Sequence, residues 1–217
     1  MNFDVLYPHA IVAPTMPTQG EYEPVGCVIH CTATQRGSVL PVINHGRENN
    51  FAYNVIDEQG IFYQTHSLNR WGFHCGQSSW EGLGKSLSKK LIGIELLGAG
   101  LLTTFESKTF NGDLKMIKAK AWFDEHERPY EARYNAGGYN PYQLGWFEAL
   151  TYLQEQTLIE FLLWCRRNLK GFSFDYVLGH HEVSPLRKSD PSSSLSMTMP
   201  KFRQHLADEY VKGENLN

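Results

Sequence analysis

Only four of the 217 residues are cysteine, and none of them forms a Cys-x-x-Cys pair. That argues against a zinc ribbon and against a thioredoxin-type redox pair. Cys27 and Cys31 lie in one apolar run. Four residues of strand would separate their Cα atoms by roughly 13 Å, too far for a disulfide. Buried, reduced thiols in a reducing compartment are the expectation. Positive charge is also short: 20 Lys and Arg against 23 Asp and Glu leave a net charge of −3. No basic field exists to hold a nucleic-acid backbone, so no nucleic-acid partner is expected. Long apolar runs are missing too. The longest candidate, 91–102, carries Glu95 and is shorter than the roughly 20 apolar residues that span a bilayer. The opening MNFDVLYPHAIVAP has an acid where a secretory signal is basic, and prolines where its apolar stretch would lie. Cytoplasmic synthesis without a signal peptide, and no membrane insertion, are therefore expected.

What is present, 41% apolar residues against 20% charged, suffices for one core at this length. Residues 1–24 contain Pro8, Pro14, Pro17 and Pro24 and read as an irregular arm laid over a domain of residues 25–217. VGCVIHCTA (25–33) predicts a buried strand, with Val28, His30 and Thr32 on one face and Cys27, Ile29 and Cys31 on the other. A short helix is expected within the polar 34–50. FAYNVI (51–56), a turn at 57–60 and IFYQT (61–65) predict a β-hairpin. RWGFHCGQSSWEGLGKS (70–86) reads as an aromatic-rich loop, and LIGIELLG (91–98) as a further strand. Thr151 and Gln154 make a capping box for a helix over 152–169, striped by Leu158, Ile159, Leu162, Leu163 and Cys165 and stopped by Gly171. A short strand (174–179), a loop, and a last helix from near Pro200 with Phe202, Leu206 and Tyr210 on one side complete the chain. Residues 99–150 carry little pattern and read as an insertion, with a helix expected over 115–126 and loop or lid over 134–146. The sum is a single α/β domain, a central mixed β-sheet flanked by helices.

The loop GHHEVSPLRKSDP (179–191) places two histidines, a lysine and an aspartate just beyond a strand end, fixed by Pro185 and Pro191. A histidine nitrogen and an aspartate oxygen ten residues apart converge on one ion if the loop curls back. His30, on an apolar strand, is the natural third ligand, because a buried imidazole needs a partner. Three protein ligands with an open fourth position is the arrangement of catalytic zinc, which lowers the pKa of water to about 7. Glu95, in the middle of LIGIELLG, is the other oddity. Burying an unpartnered carboxylate costs several kcal/mol, so something must face it.

These segments resemble the zinc-dependent N-acetylmuramoyl-L-alanine amidases of the type-2 amidase family, whose superfamily includes phage amidase-type lysozymes and peptidoglycan recognition proteins. VIHCTAT (28–34), FAYNVIDEQGIFYQ (51–64), WGFHCGQSSWEG (71–82), IGIEL (92–96) and GHHEVSPLRKSDP follow the family's order over about 160 residues. The last matches the signature G-H-x-[DE]-[IV]-x-P-x-R-K-x-D-P almost letter for letter. The resemblance implies zinc at one sheet edge on His30, His180 and Asp190, with His180 and not His181 as the ligand. It implies Glu95 as general base, Lys188 as oxyanion stabiliser, and Tyr53 as a residue that helps at the carbonyl. His74, Trp71 and Trp80 would line the groove against sugar or peptide. The other histidines, His9, His45, His66, His126 and His205, are read as ordinary. The implied reaction is hydrolysis of the amide between N-acetylmuramic acid and L-alanine in peptidoglycan or a muropeptide, by a monomer. Two settings follow: a phage endolysin that reaches the wall after holin-type release, or a cytoplasmic amidase recycling anhydro-muropeptides. A peptidoglycan-recognition module without catalysis is the rival from another class.

Overall fold

The computed structural model describes residues 4–108 and 110–214. Along the chain come β1 (Ile11–Val12), β2 (Gly20–Glu21), β3 (Gly26–Cys31), α1 (Leu40–Glu48), β4 (Asn54–Ile56) and β5 (Phe62–Gln64). Then follow β6 (Arg70–Trp71), β7 (Ser79–Trp80), β8 (Gly84–Lys85), β9 (Leu91–Leu96), β10 (Leu101–Thr103), β11 (Leu114–Ala121), β12 (Arg128–Asn135) and β13 (Gly145–Glu148). The chain closes with α2 (Tyr152–Asn168), β14 (Val177–Gly179), the single turn α3 (His180–Val183) and α4 (Met199–Glu214).

Six strands make the main sheet, in the order β1-β5-β4-β9-β3-β14. The last four are parallel; β5 runs antiparallel to β4, and β1 pairs parallel with β5, so the sheet is mixed. Strands buried on both faces read as continuous apolar runs, and β3 and β9 do so. One face packs Cys27, Ile29, Ile92 and Ile94 against Leu158, Phe161 and Leu162 of α2 and Phe202 and Leu206 of α4. The other packs Val28 with Leu91 and Leu178. The alternation expected for 25–33 is present, and all four cysteines are buried and free. The capping box is complete: Gln154 N donates to Thr151 Oγ1 at 3.1 Å, and Thr151 N to Gln154 Oε1 at 3.0 Å. Gly171, at φ +80°, takes the left-handed conformation that ends the helix. The N-terminal arm is tied in through β1, and its Tyr7 lies edge-on to Phe62 and Phe161 at 5.2 Å. In 174–179 only the last three residues pair as a strand; Phe174–Tyr176 form a 3-10 turn.

The helix expected over 115–126 is wrong. β10, β11, β12 and β13 close into a four-stranded antiparallel barrel. Lysine and alanine suggested a helix, but Ile117, Ala119 and Ala121 point inward at period two while their neighbours are exposed. Pattern overrides propensity here. The barrel core is built of small residues (Ala99, Ala119, Ala121 and Ala132) around Ile117 and Trp146, because few strands enclose little space. The loop expected over 134–146 is one only between Asn135 and Gly145.

Candidate metal centre

β3 and β9 pair so that His30 and Glu95 are directly opposite, on one face of the sheet. β14, the outermost strand, hands the chain to His180 at the first position of α3, and the following loop returns Asp190 to the same point. His30 Nδ1 lies 2.8 Å from His180 Nδ1, and His180 Nδ1 lies 3.1 Å from Asp190 Oδ2. One ligand atom from each of the three falls within 4.8 Å of the others. His181 is turned away: its backbone N–H donates to the Asp190 carbonyl at 2.8 Å, and its Nδ1 faces the same oxygen at 3.0 Å. That brace holds the loop which presents Asp190.

For neutral rings, the hydrogen-bond chain assigns the tautomers. Leu91 O only accepts, so His74 Nε2, 3.0 Å away, carries the proton, and His74 Nδ1 is left as an acceptor. His30 Nε2, 3.1 Å from that Nδ1, must then donate to it, leaving a lone pair on His30 Nδ1. His180 Nε2 faces the Cys75 carbonyl at 3.4 Å, which by the same logic leaves a lone pair on His180 Nδ1. Burial and the neighbouring His180 push the His30 pKa down to about 3, against Asp190. For Asp190, burial alone would raise the pKa, but His180 and His30 hold it well below the usual range. One nitrogen from each ring and one carboxylate oxygen thus converge on a single point. Two imidazoles and a carboxylate, each ring oriented through its far nitrogen, suit a divalent ion such as zinc.

Glu95 stands beside this cluster. Its Oε2 is buried without a hydrogen-bond partner among the described residues. Burial, reinforced by Asp190 and opposed by Lys188, pushes its pKa up to about 8. Lys188 is exposed and its ammonium forms no ion pair among the described residues. A cleft of about 740 Å³ joins His30, His180, Asp190, Glu95 and Lys188 with Tyr53 and His74. Tyr53 is buried at its wall, and its hydroxyl donates to the Val42 carbonyl of α1 at 2.9 Å. His74, expected against substrate, spends both ring nitrogens on His30 and Leu91. Gly93 makes room for it: a Cβ there would lie 2.6 Å from the His74 ring.

Trp71 and Trp80 are not brought to the cleft. Trp71 lies edge-on to Phe73 at 5.4 Å beneath the Lys89 ammonium, and Trp80 packs on the satellite core of Val28 and Leu87. They sit in β6 and β7, which belong to two small two-stranded sheets separate from the main one. In their place the cleft is lined by Trp122 and His45, neither singled out from the sequence. The one available signal for Trp122 was its place at the end of the alternating run 117–121.

An α/β domain in which a candidate metal centre adjoins an unpartnered buried carboxylate has the layout of a hydrolase. The family model for N-acetylmuramoyl-L-alanine amidases matches residues 20–193, and the chain belongs to that family. No curated protein sequence matches it. Among solved structures it is similar to a selenomethionine derivative of AmpD, with a TM-score of 0.59 and 17% identity over 94% of this chain and 98% of that one. It is similar to the endolysin amidase LysCS from Clostridium intestinale, with a TM-score of 0.51 and 14% identity over 92% and 96%. It is also similar to the amidase AmiD from E. coli in complex with anhydro-N-acetylmuramic acid-L-Ala-D-gamma-Glu-L-Lys, with a TM-score of 0.50 and 18% identity over 81% and 55%. At such identities the likeness is one of fold. No helix among the described residues is long and apolar enough to cross a membrane.

Proposed function

We propose that the protein is a zinc-dependent enzyme hydrolysing the amide between the lactyl group of N-acetylmuramic acid and the L-alanine of the stem peptide. The observation that carries this reading is the convergence of His30, His180 and Asp190 beside the buried, unpartnered Oε2 of Glu95. His30, His180 and Asp190 would hold the ion. When bound, zinc supplies Lewis acidity, making water acidic enough to ionise near neutral pH and polarising an amide carbonyl. Glu95, whose carboxyl a bound cation would favour in its ionised form at neutral pH, accepts the proton of the attacking water through Oε2 and returns it to the leaving nitrogen. Lys188, uncommitted at the cleft rim, stabilises charge that develops on the carbonyl oxygen. His74 fixes the ring of His30. Tyr53 anchors α1 at the cleft wall, and must give up its bond to Val42 to reach a substrate carbonyl.

The setting we propose is lytic action on the intact wall, in keeping with the likeness to LysCS over nearly the whole of both chains. Action on soluble anhydro-muropeptides is the second reading, favoured by the fold's likeness to AmiD bound to such a substrate. Purified protein is given sacculi or a soluble anhydro-muropeptide, with zinc or with a chelator, and newly freed L-alanine amino groups are measured. Zinc-dependent release from sacculi is expected. Release from the soluble substrate alone moves the enzyme to recycling. No release at any zinc level leaves a recognition module.

A further inference from the structure

Trp122 occupies the turn after β11, with 76% of its surface exposed. Its indole N–H, the ring's only polar atom, donates to the Ala33 carbonyl at 2.6 Å. Ala33 follows β3 by two residues and adopts φ +52°, a left-handed conformation unusual for a residue other than glycine. A barrel residue is therefore tied to a constrained segment next to His30, with most of its ring exposed and Phe123 at right angles to it, 6.2 Å between centroids. Leu101 and Thr103 of β10 line the same cleft. Leu102, between them, points into the barrel core. The barrel wall of the cleft carries no charge: its lining is Ala99, Gly100, Leu101, Thr103 and Trp122. A different wall, from the loop after α3, brings Arg187 and Lys188. Arg187 also borders an adjoining polar groove with Lys85 and Ser184.

We infer that the barrel wall is a saccharide subsite, in which the Trp122 indole stacks on an N-acetylhexosamine ring of the glycan. The inference rests on the amidase reading for the identity of the ligand. The scissile amide joins two unlike halves, a neutral sugar with an apolar C–H face and a stem peptide bearing carboxylates. Charge complementarity assigns the peptide to the Arg187 wall and leaves the uncharged aromatic wall to the sugar. The tether to Ala33 holds the indole in place before binding, so little side-chain freedom is lost when a ring stacks on it. The cleft of about 740 Å³ lies within the roughly 300–1,000 Å³ of small-ligand sites, with room for a sugar beside the reacting amide.

The test uses the neutral disaccharide N,N′-diacetylchitobiose, titrated into the full chain and followed by tryptophan emission and calorimetry. W122A should bind it about tenfold more weakly, the scale of a lost aromatic contact. W122F keeps the stacking face without the N–H and should stay within about threefold of the natural protein. On sacculi, W122A should raise KM with kcat nearly unchanged. Circular dichroism checks that each variant is folded. Equal disaccharide affinity in all three proteins overturns the inference, as does a W122A defect that appears only with the free stem peptide. Both results leave the amidase reading untouched if sacculi are still cleaved. Conversely, Trp122-dependent disaccharide binding without any amide cleavage supports the subsite and defeats the amidase reading.

Discussion

The central sheet and the four-stranded barrel are built by opposite rules. In the sheet, β3 and β9 are buried on both faces, and a polar side chain in either is an anomaly. His30 and Glu95 are those anomalies, and they are the chemistry. In the barrel, strands alternate and polar residues are the rule, so no single residue announces itself. The sheet therefore supplies rigidly placed donors, while the barrel supplies a wall whose character lies in what it lacks, namely charge. A single substitution in the sheet should remove reaction or fold; one in the barrel should change only what the cleft holds.

The strongest way to break that contrast is E95Q. Loss of the general base should lower turnover about 10³-fold, while elemental analysis finds the metal content unchanged. Full activity would remove Glu95 from the mechanism. Next is stability. F161A empties the fully buried position between α2 and the sheet and should cost about 3–5 kcal/mol by urea denaturation. I117A in the barrel should fall near the low end, about 2 kcal/mol, since an interior of alanines can close around the gap. Equal losses would mean that the barrel is packed as rigidly as the sheet. Third is the ring chain behind His30. H74A should weaken zinc affinity about 10- to 100-fold, the range for a group that orients a metal-binding histidine. G93A should do the same from the other strand, by displacing the His74 ring. Unchanged zinc titrations in both would show that His74 does not set the lone pair of His30.

What could be read from the sequence follows the same division. β3, β9, the hairpin of β4 and β5, and α2 with its capping box were legible because burial on a fixed face leaves a periodic imprint. His30, His180 and Asp190 were legible as a group only because the signature loop holds two of them ten residues apart. The barrel was missed because lysine and alanine suggest helix locally, and because closure depends on pairing Leu101 with Phe147, 46 positions apart. The tryptophans follow the same division. Aromatic density in 70–86 suggests a binding wall, but Trp71 and Trp80, both partly exposed, lie outside the lining of this cleft. Trp122 reaches the cleft through the folding of the barrel, and its bond to Ala33 joins positions 89 apart, which local pattern does not encode.

The smallest effect is expected at the joint between the two regions. Arg36, in the segment after β3, places Nε 3.0 Å from Glu148 Oε1 at the end of β13, and its Nη2 donates to the Ala149 carbonyl at 2.6 Å. Burial raises the Glu148 pKa, and Arg36 is the main influence opposing it. A carboxyl whose pKa is raised by folding binds its proton more tightly in the native state, so its ionisation weakens the fold as pH rises through that window. Without Arg36 the window widens upward. R36M should therefore cost least at pH 4, below the ordinary carboxylate range, and about 1 kcal/mol more at pH 7, as ionisation leaves a buried carboxylate with only the Ala99 N–H as partner. Adding E148Q should recover most of the loss at pH 7, because the uncompensated charge is gone. An R36M penalty equal at both pH values would show that Arg36 acts through its bond to Ala149 alone. The barrel would then be joined to the sheet by backbone contacts, without an electrostatic share.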